Sequence, residues 1–320
     1  DRERARQLAA AATAMAPANS AALLARSYVQ QADFDLPGAV ASLEAARAAE
    51  PANSLVLARL AELRFGSGDL PAARRLAGDA ARLDPASAPA LTVQGFAELA
   101  AGRADAARAA FTAALVADSS APAPRLGRAL ASIRAGDLAG GREELETAVV
   151  LDPGNALVRS YMGKAYHDEK RDREAAVQLA IAKELDAADP TPWFYDGVRK
   201  QSVNRPVEAL ADLTAAAARN DNRAVYRSRL LLDADLAARS AAVGRAYRDL
   251  GFDELALRQG WASVQLAPGD YSGHRLLADS YAALPRHELA RVNELQQSQL
   301  LQPLNMTPVQ AQLGETNLFI

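Results

Sequence analysis

The chain has 320 residues, half of them apolar, with 36 Lys and Arg against 39 Asp and Glu and a formal net charge of −3. Arginine interspersed with Asp and Glu leaves no basic face for a phosphate backbone, which argues against a nucleic-acid partner. Cysteine is absent, which excludes disulfides, thiolate metal sites and a thiol nucleophile, and no apolar run approaches the ~20 residues that span a bilayer.

Pro17, Pro51 and Pro85 recur 34 residues apart, and Pro153 lies two intervals further on. A fixed period of this size marks stacked supersecondary units. The same step lands on Ser119, Ala187 and Asp221, while Pro268 follows Asp221 by one interval plus 13 residues. In chain order the spacing predicts a half unit at 1–19 and full units at 20–53, 54–87, 88–121, 122–155, 156–189 and 190–223. An insertion at 224–236, units at 237–270 and 271–304, and a tail at 305–320 complete the chain.

Each unit reads as a helical hairpin. At 54–87, Asn53 or Ser54 supplies an N-cap, and Leu57, Leu60, Ala61 and Leu63 follow at helical spacing. Gly66 and Gly68 stop the first helix, Asp69 caps the second, and Pro71 sits in its first turn, where a missing N–H costs nothing. Pro85 ends the unit. Gly68, Gly102, Gly136 and Gly251 share one turn position, and Ala39, Ala73, Ala107, Ala175, Ala209, Ala256 and Ala290 share one helix position, where a small side chain lets helices approach closely. With few aromatic or β-branched residues, the chain reads as all-α, one continuous solenoid of antiparallel hairpins.

The units resemble tetratricopeptide repeats. Trp193, Gly197, Ala209, Leu213 and Ala216 fall on the pattern of that family, as do Gly163, Tyr166, Ala175, Leu179 and Ala182, and Gly244, Tyr247, Ala256 and Pro268. Arg64 and Glu98 at the Tyr position, Gly141 at a packing Ala and Gly260 at an aromatic position depart from it. The resemblance implies a right-handed superhelix whose first helices line a concave groove. Transferred onto this sequence, the groove positions are Leu24, Tyr28, Phe65, Phe96, Leu99, Leu126, Leu130, Ile133, Phe194 and Val198, followed by the polar Lys164, His167, Arg245, Arg248, Arg275 and Asp279. Such a groove suits an extended peptide or helix of a protein partner, although each of these side chains could equally pack between adjacent first helices. The Lys and Asn pattern of chaperone-tail clamps is absent.

The insertion carries Tyr226, Leu230 and Leu231, and reads either as a segment folded back on the solenoid or as a recognition loop. Pro303, Pro308 and Gly314 keep the tail from forming one helix, so it reads as a linker or as a strap held by a partner. From Asn220 through the tail the sequence also resembles bacterial envelope proteins whose repeat array precedes an outer-membrane β-barrel. That implies a periplasmic or outer-membrane-associated place, with the cytoplasm as the alternative, and a second reading as the periplasmic arm of an export or assembly barrel. Both solenoid ends read as uncapped and open to further contacts.

No reactive centre is legible. His167 reads as a solvated residue near a turn, His274 as a partly buried structural residue, and His287 as a surface residue, with no His-x-x-x-His pair. Nucleophile elbows, phosphate-cradling loops and paired catalytic carboxylates are missing. The expectation is a non-catalytic protein-binding scaffold without cofactor.

Overall fold

The computed structural model describes residues 2–33, 35–219, 236–266 and 268–301. Among the described residues every regular element is an α-helix of 12 to 14 residues, seventeen in all, and none is a strand. No described helix is long and apolar enough to cross a membrane. The insertion, apart from Leu236, and the tail lie outside the described residues, so Tyr226, Leu230 and Leu231 do too.

The helices fall into two compact units, one holding those up to Ala135 and the other those from Gly136 onward. The first contains α1 (Arg2–Met15), α2 (Ser20–Ala32), α3 (Leu36–Ala49), α4 (Ser54–Gly66), α5 (Leu70–Leu83), α6 (Ala88–Ala100), α7 (Ala104–Ala117) and α8 (Pro122–Arg134). The second contains α9 (Leu138–Leu151), α10 (Ala156–Asp168), α11 (Asp172–Leu185), α12 (Pro190–Ser202), α13 (Pro206–Ala218), α14 (Leu236–Asp249), α15 (Asp253–Leu266), α16 (Tyr271–Ala282) and α17 (Glu288–Leu301). The tightest packing in each is within hairpins, α2 with α3, α4 with α5 and α6 with α7 in the first, and α10 with α11 through α16 with α17 in the second. Within each unit this is an α-solenoid arrangement, in which hairpins pack on their sequence neighbours.

Local chemistry sets the helix ends. Asn19, Asn53 and Asn155 cap first helices by accepting from backbone amides in the first turn. Asp35 and Asp69 cap α3 and α5, each followed by a Leu-Pro pair in the first turn. Gly68, Gly102, Gly136 and Gly251 turn the chain with φ between 80° and 93°, in the left-handed region glycine tolerates. Lys170 and Asn204 hold the same turn position at φ 63° and 58°, conformations unusual for residues with a β-carbon.

The two helices of a hairpin bury different amounts of surface. Second helices bury one stripe, as in Ala73, Leu76, Ala77 and Ala80 of α5, the pattern of an amphipathic surface helix. First helices are wrapped on most sides, and α4 buries eight residues between Val56 and Phe65. Ala39, Ala73, Ala107, Ala175, Ala209 and Ala256 are fully buried. Phe111 of α7 wedges between two first helices. A β-carbon on Gly95 of α6 or Gly127 of α8 would lie 2.5 Å or 2.2 Å from its ring.

Polar ties at the turns are absent from the sequence reading. In α8 and α10 the fourth residue is an arginine that reaches back to the carbonyl at the turn closing the preceding repeat. Arg125 Nη2 donates to the Ser119 carbonyl at 3.1 Å, and Arg159 Nε donates to the Pro153 carbonyl at 2.7 Å.

Candidate partner-binding surface

In the first unit the groove positions mostly face inward. Phe65, Phe96, Leu99, Leu126, Leu130 and Ile133 are at most 3% exposed, so they are core side chains. The expectation that they form an exposed apolar groove is corrected. α4 packs on α6 and α6 on α8, and Phe96 meets Phe111 edge-on with 5.0 Å between ring centres. These contacts use the apolar surface that a partner would have needed.

Tyr28 is the exception, at 53% exposed. Its ring lies 3.8 Å from the guanidinium carbon of Arg59 on α4, a cation–π contact. Arg59 is buried and donates to Glu62 at 2.5 Å and to the Gln31 side-chain oxygen. A fixed cation therefore backs the ring on one side. Burial pushes the Tyr28 phenol up, with the Glu62 carboxylate adding to the shift and Arg59 opposing it. Leu24, one helical turn before Tyr28 and hence on the same face of α2, is half-buried.

In the second unit the inner helices carry a polar ladder. Lys164 is buried and donates to Asp168 at 2.5 Å. Burial pushes the Asp168 carboxyl up against the pull of Lys164. His167, between them in sequence, is pushed down to about 4 by burial, with Lys164 and Lys170 adding to it, which corrects the expectation of a solvated side chain. Gln201 of α12 donates to Asp249 of α14 at 2.6 Å. Arg248 of α14 pairs with Asp279 of α16 at 2.9 Å, and Arg275 pairs with the same carboxylate at 3.2 Å. Phe194 and Val198 are buried, as is Arg245, so none of the three offers groove surface.

Beneath the ladder lies a buried ion network. Lys183 of α11 reaches Asp196 of α12 at 2.6 Å and Asp212 of α13 at 3.2 Å. Lys200 pairs with both carboxylates, and Arg199 joins Asp196 to Asp172. Asp196 and Lys200 sit four residues apart on α12, a spacing visible in sequence; the partners on α11 and α13 carry no such signal. Trp193 has Lys183 at 4.5 Å and Arg219 at 4.3 Å from its ring centre.

Apolar side chains are exposed on the first and last described helices, Leu8 and Met15 on α1 and Leu289, Val292 and Leu300 on α17. No cluster of three metal-type ligands forms among the described residues.

No family model matches the sequence. No curated protein matches it either. Solved structures do. The crystal structure of the APC/C hetero-tetramer Cut9–Hcn1 superposes with a TM-score of 0.74 at 20% identity over 91% of this chain and 55% of that one. This chain thus spans about half the length of that relative. PilF of Pseudomonas aeruginosa superposes with a TM-score of 0.52 at 15% identity, over 71% of this chain and 97% of its own. A tetratricopeptide repeat protein from Parabacteroides merdae gives 0.51 at 14% identity, over 88% and 98% of the two chains. Seventeen short helices among the described residues, paired as hairpins in a 34-residue register, give this chain the α-solenoid fold of tetratricopeptide-repeat proteins.

Proposed function

We propose that the chain is a non-catalytic scaffold that holds a protein partner along its first helices, in a bacterial envelope complex. The observation that carries this reading is Tyr28, an aromatic ring more than half exposed and backed by the buried Arg59. A rigid aromatic anchor loses little conformational freedom on binding and gives large contact area, the property of interface hot spots. The repeat fold shared with the Parabacteroides merdae protein supports a binding role rather than a reactive one. The resemblance of the sequence from Asn220 onward to envelope proteins supports the compartment.

Tyr28→Ala and Tyr28→Glu in the full chain test the surface. Crosslinked partner capture from the native source, read by mass spectrometry, is expected to fall for both while the helical circular dichroism stays unchanged. Undiminished capture by a folded Tyr28→Glu chain defeats the assignment. Fractionation of producing cells tests the compartment separately, and recovery in the cytoplasm removes the envelope from the reading.

A further inference from the structure

The first helices α14 and α16 meet through charges that do not balance. Nη1 of Arg248 on α14 lies 2.9 Å from Oδ2 of Asp279 on α16. Nε of Arg275, one turn before Asp279 on α16, lies 3.2 Å from Oδ1 and 3.3 Å from Oδ2 of the same carboxylate. Two guanidiniums therefore share one acid, and the three side chains stay between 26% and 32% exposed. Elsewhere these two register positions hold Phe65, Leu99 and Ile133, or Leu24, Leu126 and Phe194, so arginine on both sides is particular to this junction.

A guanidinium carries five N–H donors in one plane, and its terminal nitrogens match the two oxygens of a carboxylate. Arg275 commits Nε to Asp279, and among the described residues neither of its terminal nitrogens meets an acceptor. Arg248 commits Nη1 and leaves Nε and Nη2. Arg245, one turn earlier on α14, is buried and adds a third cation. The other acid of the group is Asp249, which is exposed and accepts from Gln201 of α12. Arg245, Arg248 and Arg275 against Asp249 and Asp279 leave one positive charge in excess, in a chain whose net charge is −3.

We propose that Arg248 and Arg275 form a docking point for an acidic side chain, Asp or Glu, in an extended segment of a protein partner. Asp279 holds the two guanidiniums side by side, and the incoming carboxylate takes the donors that Asp279 leaves. A chain-terminal carboxylate is a poorer fit. Such ends are captured by nests of backbone N–H, whereas the amides of Arg248 and Arg275 are spent inside their helices. The docking point belongs to the second unit and rests on nothing at Tyr28.

Fluorescence anisotropy with the full chain and a labelled, C-terminally amidated peptide of alternating Glu and Gly tests this, since amidation leaves side chains as the only acids. The peptide is expected to bind saturably, and the same peptide with Gln for Glu is not. Arg248→Gln and Arg275→Gln should each weaken binding about tenfold, the worth of one hydrogen bond to a charged group. Asp279→Asn removes the internal competitor and should tighten binding about fivefold, the upper worth of an exposed ion pair; an Asp279 that only braces the helices gives no gain. Circular dichroism checks the fold of each variant, and Asp279→Asn decides the matter where an arginine variant does not fold. Equal binding of the two peptides, undiminished binding by a folded Arg275→Gln chain, or no tightening in Asp279→Asn overturns the docking point. Tighter binding of an oligothymidylate of the same length assigns the arginines to phosphate and overturns it as well.

Discussion

Lys183 and Asp196, 2.6 Å apart on adjacent hairpins, join the two helices of one repeat to the next through a buried ion pair. Burial alone would raise the Asp196 carboxyl, but hydrogen bonds from Lys183 and Lys200 and the charge of Arg199 outweigh it and hold the group below the usual carboxylate range. A depressed carboxylate contributes stability that is present above its unfolded pKa and lost as acid is added. Removing it takes one carboxylate from three cations, each at most 16% exposed, and leaves Lys183 and Lys200 to share Asp212 and Arg199 with Asp172 alone. Asp196→Ala is therefore expected to cost about 3–5 kcal/mol, read as a lowered urea midpoint. A loss under about 1 kcal/mol, the worth of a surface pair, contradicts the network's burial.

His167 makes the chain less stable in acid. Its folded pKa of about 4 lies below the ordinary 6.5 because burial disfavours the charged ring. The unfolded chain then binds a proton that the folded chain refuses, so stability is full above about pH 6.5 and falls as pH drops towards 4. Below both values the loss reaches about 3 kcal/mol. Urea unfolding across this range checks the slope, and His167→Gln should flatten it. A native slope equal to that of the variant refutes the assignment.

Glycines in this chain divide by what surrounds them. Gly127→Ala drives a methyl into the Phe111 ring and is expected to cost about 1–3 kcal/mol, the usual penalty of overpacking. Gly78, inside α5, has nothing within 4 Å of its would-be β-carbon, so Gly78→Ala should raise stability by about 0.8–1 kcal/mol through helix propensity alone. Thermal unfolding of the two variants should move in opposite directions.

Hairpin architecture was legible because it rests on local signals. Asn53 and Asp69 cap the helices expected of them, and the four turn glycines adopt the positive φ that made them necessary. Lys170 and Asn204 show that the turn geometry outlasts its glycine. Groove exposure was less legible, since a register position tells which way a side chain points but not how closely the next helix follows. Phe96 and Leu130 point to the shared face and are covered there, while Tyr28 at an equivalent position stays open. His274 reads in sequence as a partly buried residue, whereas it is buried. His167 reads as solvated because it ends a helix, but α10 packs on both α11 and α12 and the side chain is half-buried. Ties such as Gln201 with Asp249, 48 residues apart, leave no trace in a single sequence.

The fit of Phe111 against Gly127 has a counterpart inverted in size. Gly260 stands at the register position of Phe111, and a β-carbon there would come within 2.6 Å of Leu277 on the following helix. Bulk on one side is matched by its lack on the other, differently at each junction. The modules are thus not interchangeable. Shuffling their order would keep every cap and turn in phase, yet would set phenyl against leucine at one seam and leave a void at another, so their succession is written into the molecule as firmly as their shape.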